Sequence, residues 1–251
     1  VTGVQTCALP ISARTPDESR WANGMAAWDT LFYESEHFIE RVNEWLNGKD
    51  RLSSGYKVLV KEYKELDMNE PTTISMLRGD ILDEETVIPR VLLSLPLRRR
   101  LLLWEEANGI EVQPLDVGVG ISQVLPVIVA GLSAKSGFVV IEQPELHIHP
   151  ALQVALGDLF IKQISEYPDT IFILETHSEH IMLRLLRRIR ETGEGELPPG
   201  APELTPEKLS IYFAEQGEEG ITFAPIRVDS DGEFVDRWPR GFFRERAREL
   251  M

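Results

Sequence analysis

The alternation of apolar and polar positions marks out a series of short elements in the first half of the chain. From residue 35, Phe38, Val42, Trp45 and Leu46 recur at spacings of four and three, one face of a 3.6-residue period. Asn47-Gly48 then supplies a helix stop. Residues 55–63 (GYKVLVKEY) set Tyr56, Val58 and Val60 against Lys57 and Lys61, the pattern of a half-buried strand. Residues 13–34 carry Trp21 and Trp28 without a clear period. Residues 65–96 are acidic and broken by Pro71, Pro89 and Pro96, which predicts a loop-rich excursion with short elements at most. Residues 97–112 read as a hairpin. Leu101, Leu102, Leu103 and Trp104 form one strand, Asn108-Gly109 gives a type I′ turn signal, and Ile110 and Val112 begin the return.

In the second half, residues 138–141 (FVVI) form a continuous apolar run with β-branched weight, which predicts a strand buried on both faces. A second such strand is predicted from residue 170, ending in Thr176-His177. Between residue 116 and the first strand, Gly118 and Gly120 precede an apolar helical run from Val124 to Leu132. Ser122 is the predicted N-cap of that helix, with Pro126 in or near its first turn. Leu152, Leu156, Leu159, Phe160 and Ile164 mark the core stripe of another helix, and Ile181, Leu185 and Leu186 the inward face of one running from 178 to about 190. Residues 192–207 are a Gly/Pro/Glu-rich connection, predicted mobile. Residues 209–213 and 221–228 read as two strands around a turn at 217–220. Trp238-Pro239 opens a last, charged short helix that Phe242 and Phe243 would anchor on the sheet.

A chain of 251 residues holds one large domain or two small ones. Its formal net charge of −15 argues against a broad nucleic-acid or anionic-membrane surface, while leaving room for a local basic patch. Two basic clusters are candidates. Arg98, Arg99 and Arg100 fit a solvated strand end better than a phosphate or partner contact, and Arg184, Arg187, Arg188 and Arg190 fit complementation of a helix dipole better than a DNA-facing patch. No apolar run approaches the roughly 18 residues of a membrane span. The single Cys7 cannot form an internal disulfide, so a reducing cytoplasm is the expected compartment. Residues 1–12 (VTGVQTCALPIS) make a poor signal peptide. They resemble a translated sequencing-adapter tail, the alternative being a natural disordered terminus.

The candidate chemistry sits where the second-half strands end. Glu142 follows the first apolar run, and a carboxylate at the C-terminal tip of a buried parallel strand lies where α/β sheets bind ligands. Gly118 and Gly120, leading into a helix, make an anion site by construction, although by themselves they fit a tight turn with a cap better. His147, His149, His177 and His180 have a rival reading with Glu142 and Glu145, a histidine-based metal hydrolase. Its spacing is poor. The H-x-H lies between Pro144 and Pro150, and H-x-x-H is not the i, i+4 helix pair of zincins.

Three pieces in this order, DVGVGISQ (116–123), FVVIE (138–142) and TIFILETHSEH (170–180), resemble the C-terminal half of an ABC/SMC-like ATPase. More narrowly they resemble AAA-family ATP-binding proteins grouped with RecF-like and OLD-like ATPases, and DRWPRGFF (236–243) resembles a tail domain of unknown function carried by one such family. The resemblance implies a P-loop NTPase-type α/β fold, with a mostly parallel sheet, flanking helices and a small C-terminal α+β tail. It implies ATP and Mg²⁺ as cofactors, Glu142 as the acid that holds the metal in a Walker B strand, and His177 as the switch residue. Gly118, Gly120, Ser122 and Gln123 would form a signature segment that reaches across a homodimer to the other protomer's nucleotide. The usual catalytic glutamate is replaced by Gln143, which can orient water but not take its proton, and Glu145 is the alternative carboxylate.

Nowhere does the sequence hold G-x-x-x-x-G-K-[ST], so the Walker A half is expected to be missing and this piece inactive alone. The implied organisation is an artefactual or disordered 1–12, an ATPase part over 13–192, a linker over 193–208 and the tail over 209–251. The parent would couple nucleotide-driven dimer closure to a DNA or effector-protein partner, in DNA repair or anti-phage defence. A nucleotide-gated module that does not hydrolyse is the alternative that Gln143 raises.

Overall fold

The computed structural model describes residues 18–49, 51–79, 90, 92–217 and 220–236. They form two compact units, one within Val1–Asn47 and Ser54–Gly118, the other within Gly48–Ser53 and Val119–Met251. The readings of residues 1–12, Pro89, Trp238-Pro239, Phe242 and Phe243 fall outside the described residues.

In the first unit, α1 (Met25–Tyr33) and α2 (Glu36–Asn47) precede a three-stranded antiparallel sheet of β1 (Tyr56–Tyr63), β2 (Arg98–Glu105) and β3 (Ile110–Val112). The α2 helix buries the residues its periodicity marks, Phe38, Val42, Trp45 and Leu46, and the Ser35 hydroxyl accepts the Phe38 N–H at 3.3 Å. Asn43 staples α2 to β1, accepting the Val58 N–H at 2.7 Å and donating to the Val58 carbonyl at 3.0 Å. The α1 helix lies where no period was legible. Its buried face is Ala26, Ala27, Thr30 and Leu31, while Trp28, Phe32 and Tyr33 put aromatic side chains on the other faces, so the hydropathy contrast is low. Within the acidic excursion stands a short helix, α3 (Pro71–Arg78), and the described residues 90 and 92–94 are helical as well.

The β2–β3 hairpin forms, but not through a type I′ turn. Glu105 pairs with Ile110, so residues 106–109 make the loop, and only Gly109 (φ 64°) takes a left-handed conformation there. A type I′ turn needs positive φ at both central residues, and Asn108 does not have it. Arg98 and Arg99 pair with Glu65 and Glu62 at 3.0 and 2.7 Å, the arrangement of a solvated strand end.

The second unit is built on α4 (Val119–Ser133), β4 (Gly137–Glu142), α5 (Pro150–Glu166), β5 (Thr170–Glu175) and α6 (Glu179–Glu194), followed by an antiparallel hairpin, β6 (Ile211–Gly217) and β7 (Gly220–Ile226). Strands β4 and β5 are parallel and in register, from Gly137 opposite Thr170 to Glu142 opposite Glu175. One face of this pair is covered by α4 and α5, with Phe172 against Phe160 at 5.0 Å between ring centroids.

The other face overturns the expectation of strands buried on both sides. Phe138 is 72% and Val140 70% exposed, and Ile171 and Ile173 are half exposed. Side chains alternate across a strand, so apolar composition alone puts half of them on a face that nothing covers among the described residues.

Three further expectations need correction. Ser122 and Pro126 lie inside α4, not at its cap and first turn, because the helix starts at Val119; the Ser122 hydroxyl donates back to the Val119 carbonyl at 2.9 Å. The connection after α6 is docked, not loose. Leu204, 2% exposed, packs with Ile161 and Ile189, and its N–H donates to the Thr192 hydroxyl at 3.1 Å. The arginines of α6 neither complement a helix end nor form a free basic patch. They lie mid-helix, and Arg188 is buried with both Asp158 oxygens accepting from it at 2.8 Å. Arg187 and Arg188 both donate to Glu191, Arg184 lies 3.7 Å from Asp158, and Arg190 pairs with Glu233 at 2.7 Å.

Burial pushes the Glu191 carboxyl up, but hydrogen bonds from Arg187 and Arg188 outweigh it and leave it below the usual glutamate range. A carboxyl depressed by folding stabilises at neutral pH, and that contribution is lost as pH falls through its folded value. Thermal melts across the acid range should therefore show part of the stability loss disappear in Glu191→Gln. No helix among the described residues is long and apolar enough to cross a membrane.

Candidate functional site

At the carboxyl ends of β4 and β5, Glu142 and Glu175 stand side by side, both exposed. The chain then turns sharply. Gln143 donates its N–H to the Glu175 carbonyl at 2.8 Å and has φ 47°, and His147 has φ 61°. Neither is glycine, so each left-handed residue costs about 1–2 kcal/mol, which the surrounding structure must offset. Buried Pro144 and Ile148 anchor this loop, and internal bonds run from Leu146 N–H to the Gln143 carbonyl (3.0 Å) and from Ile148 N–H to the Glu145 carbonyl (3.3 Å).

Glu145 points across to the segment after β5. One oxygen accepts from the Thr176 hydroxyl and the other from the His177 N–H, each at 2.7 Å. The Thr176 oxygen in turn accepts the Ser178 N–H at 3.0 Å. Ser178 caps α6 by accepting the Ile181 N–H at 3.0 Å and donates to Gln153 at 2.6 Å, while Gln153 donates to the Ile148 carbonyl at 3.0 Å. The His177 ring is exposed, with Nε2 3.6 Å from Glu175, too far for a hydrogen bond. His149 caps α5, its Nδ1 accepting the Ala151 N–H at 3.2 Å, and His180 sits in the first turn of α6. Among the described residues, no group of three or more His, Cys, Asp or Glu side chains is placed to hold a metal ion.

The signature-like residues occupy the start of α4. Gly118 precedes it with open space where a Cβ would be; Gly120 lies in its first turn, where a Cβ would stand 3.0 Å from the His147 carbonyl. Gly120 thus lets the helix start approach the loop after β4. Ser122 is turned back on its own helix, and Gln123 is exposed. The first N–H groups of a helix have no partners within it, which suits an anion.

Sequence reasoning singled out Glu142, Gln143, Glu145 and His177, which the fold brings to one end of the β4–β5 pair. It missed Glu175, Thr176, Ser178 and Gln153. Ser178 before a helical run was a readable cap; the partnership of Gln153 with Ser178 spans 25 residues and leaves no local trace.

No curated protein matches the chain. A solved structure of an SMC head bound to the C-winged helix domain of ScpA is similar to it at 11% identity with a TM-score of 0.43, over 81% of this chain and 50% of that one. The chain therefore spans about half the length of that structure. A family model described as "Protein of unknown function (DUF3696)" matches residues 204–251. Another, described as "AAA domain, putative AbiEii toxin, Type IV TA system", matches residues 9–183. With most of its length matched by that model, the chain belongs to this AAA-domain family, and its α/β fold is of the P-loop ATPase type.

Proposed function

We propose that this chain supplies the Walker B and switch half of an ATP–Mg²⁺ site in an ABC-like ATPase. The observation that carries the reading is the set of groups converging on the carboxyl ends of two parallel strands, with Glu142 on one and His177 just after the other. Hard oxygen donors at such a tip suit Mg²⁺, which keeps several waters and takes one or two carboxylates. Glu142 would hold it, with Glu175 alongside. Bound Mg²⁺ would neutralise charge on the phosphates. His177 would meet the last phosphate or the attacking water, and Gln143 would orient that water. The start of α4, with Gly118, Gly120, Ser122 and Gln123, would serve the nucleotide of a second copy, making the active form a homodimer.

The residues fit the metal and the far end of a nucleotide, and they do not supply a phosphate cradle, since G-x-x-x-x-G-K-[ST] is absent from the sequence. The exposed apolar face of β4–β5 supports the same reading. Such a patch suits burial against further elements of an ATPase domain, which would bring the cradle. The parent's work in DNA repair or phage defence, and its DNA or effector partner, follow only from the resemblance.

Gln143 favours one second reading, a nucleotide-gated module that closes without hydrolysing. The metal-hydrolase reading lacks a ligand set among the described residues. Glu142→Gln tests the assignment in a parent that contains the cradle. Loss of one charge-assisted contact, about 1.5–3 kcal/mol, should weaken Mg²⁺-dependent ATP binding by about 10- to 100-fold. Unchanged binding would remove Glu142 from the site.

A further inference from the structure

We propose that Glu145 is a positioning residue that pins the switch segment to the loop after β4, and that it acts through Thr176 and the His177 backbone, not as the proton acceptor. Its meaning for catalysis rests on the reading of His177 as the switch; the bracing itself rests on geometry. A carboxylate oxygen keeps a second lone pair, so two bonds do not use up Glu145; they fix where it points. A proton taken by it would weaken the charge-assisted bonds that hold the segment after β5. Both Glu145 oxygens face fixed donors at 2.7 Å, and those donors are immediate neighbours in sequence. Gripping the Thr176 hydroxyl and the next N–H together fixes the backbone just before the imidazole.

The donors are themselves held. The Thr176 hydroxyl gives its only proton to Glu145 and accepts from Ser178, so it cannot turn away without losing both bonds. Ser178 then reaches Gln153, and Gln153 reaches the Ile148 carbonyl, three residues past Glu145. The connection closes into a ring that ties the loop after β4, the start of α5 and the start of α6. The left-handed turn at Gln143 starts the loop that carries Glu145 across to the β5 side. The imidazole of His177 stays outside this ring and exposed. Backbone placement and ligand contact are thus divided between two residues, with Glu145 fixing what His177 presents.

Residue-resolved amide hydrogen exchange on the 251-residue chain, without nucleotide, tests this. The His177 and Ser178 amides should be protected in the unsubstituted protein. Glu145→Ala should speed His177 exchange on the order of 100-fold, with the interiors of α5 and α6 unchanged, because local opening is distinct from global unfolding. Glu145→Gln keeps one acceptor oxygen and should retain part of the protection. Thr176→Ser should behave as the unsubstituted chain, whereas Thr176→Val, which removes one of the two bonds to Glu145, should speed His177 exchange part of the way as well as expose the Ser178 amide; the His177 rate in this pair tests the brace if Glu145→Ala fails to fold.

A His177 amide exchanging at the rate of a free peptide in the unsubstituted protein would overturn the proposal. So would protection lost equally throughout α5 and α6 in Glu145→Ala, which would make Glu145 a general element of the fold. Failure of the nucleotide reading would appear separately, in nucleotide titration, and would leave these exchange rates as they are.

Discussion

Gln143→Glu should raise ATP hydrolysis by about 100- to 10,000-fold in a parent protein that brings its own phosphate cradle, the range a positioned base contributes. The amide of Gln143 can hold a water but cannot remove its proton. Glutamate has the same length and is equally non-glycine, so the left-handed backbone at φ 47° carries the same strain in both. The N–H bond to the Glu175 carbonyl is a backbone contact that the substitution leaves in place. ATP affinity should therefore stay nearly constant while kcat rises. Steady-state kinetics on the two proteins decides it. An unchanged rate, together with a large loss in Glu145→Gln, would move the base to Glu145 and contradict its role as a brace.

Gly232→Ala should destabilise the chain by about 2–5 kcal/mol. Gly232 has φ 68°, a conformation that costs alanine roughly 1–2 kcal/mol. A Cβ there would also collide with the Leu186 carbonyl oxygen and stand 3.1 Å from its carbon, within the backbone of α6. Helix backbone cannot yield as a side-chain tip can, and overpacking typically adds about 1–3 kcal/mol. The turn itself is held to α6, since Asp229 accepts the Asp231 and Glu233 N–H groups and Arg190 donates to the Asp231 carbonyl and to Glu233. Gly200→Ala is the control. Its φ is 78° but its Cβ position is open, so it should lose only the conformational part. Equal losses for both in denaturant titration would mean that close approach to α6 does not matter.

Elements whose apolar residues recur with enough contrast were legible in the sequence. Phe38 to Leu46 gave α2, the alternation at Tyr56 gave β1, and the run at Phe138 gave β4. The α1 helix was hidden because Trp28, Phe32 and Tyr33 lie outside its inner face of Ala26, Ala27, Thr30 and Leu31, which blurs the period. The coverage of a face was not legible either. Phe138 and Val140 look like core by composition, and only the neighbours present decide whether they are.

Polar burial failed for a related reason. Arg188 reads as a surface residue of a charged helix until α5 brings Asp158 against it from 30 residues away. At the site, the types and order of Glu142, Gln143 and His177 pointed to one strand-tip cluster. The bonds that set their geometry, Glu145 to Thr176 and His177, join segments 31 and 32 residues apart, and no local pattern records them.

The most direct test is a titration of the 251-residue chain with ATP–Mg²⁺, followed by residue-resolved amide shifts. Several charge-assisted contacts in a P-loop, each about 1.5–3 kcal/mol, normally cradle the phosphates. Micromolar binding corresponds to about −8 kcal/mol, so losing three or four such contacts leaves binding that is millimolar or weaker. The prediction is a dissociation constant in that weak range, with shifts confined to the tips of β4 and β5 around Glu142, Gln143 and His177. A dissociation constant near micromolar, or shifts centred away from those tips, would contradict the assignment of this chain as the Walker B and switch half of a nucleotide site.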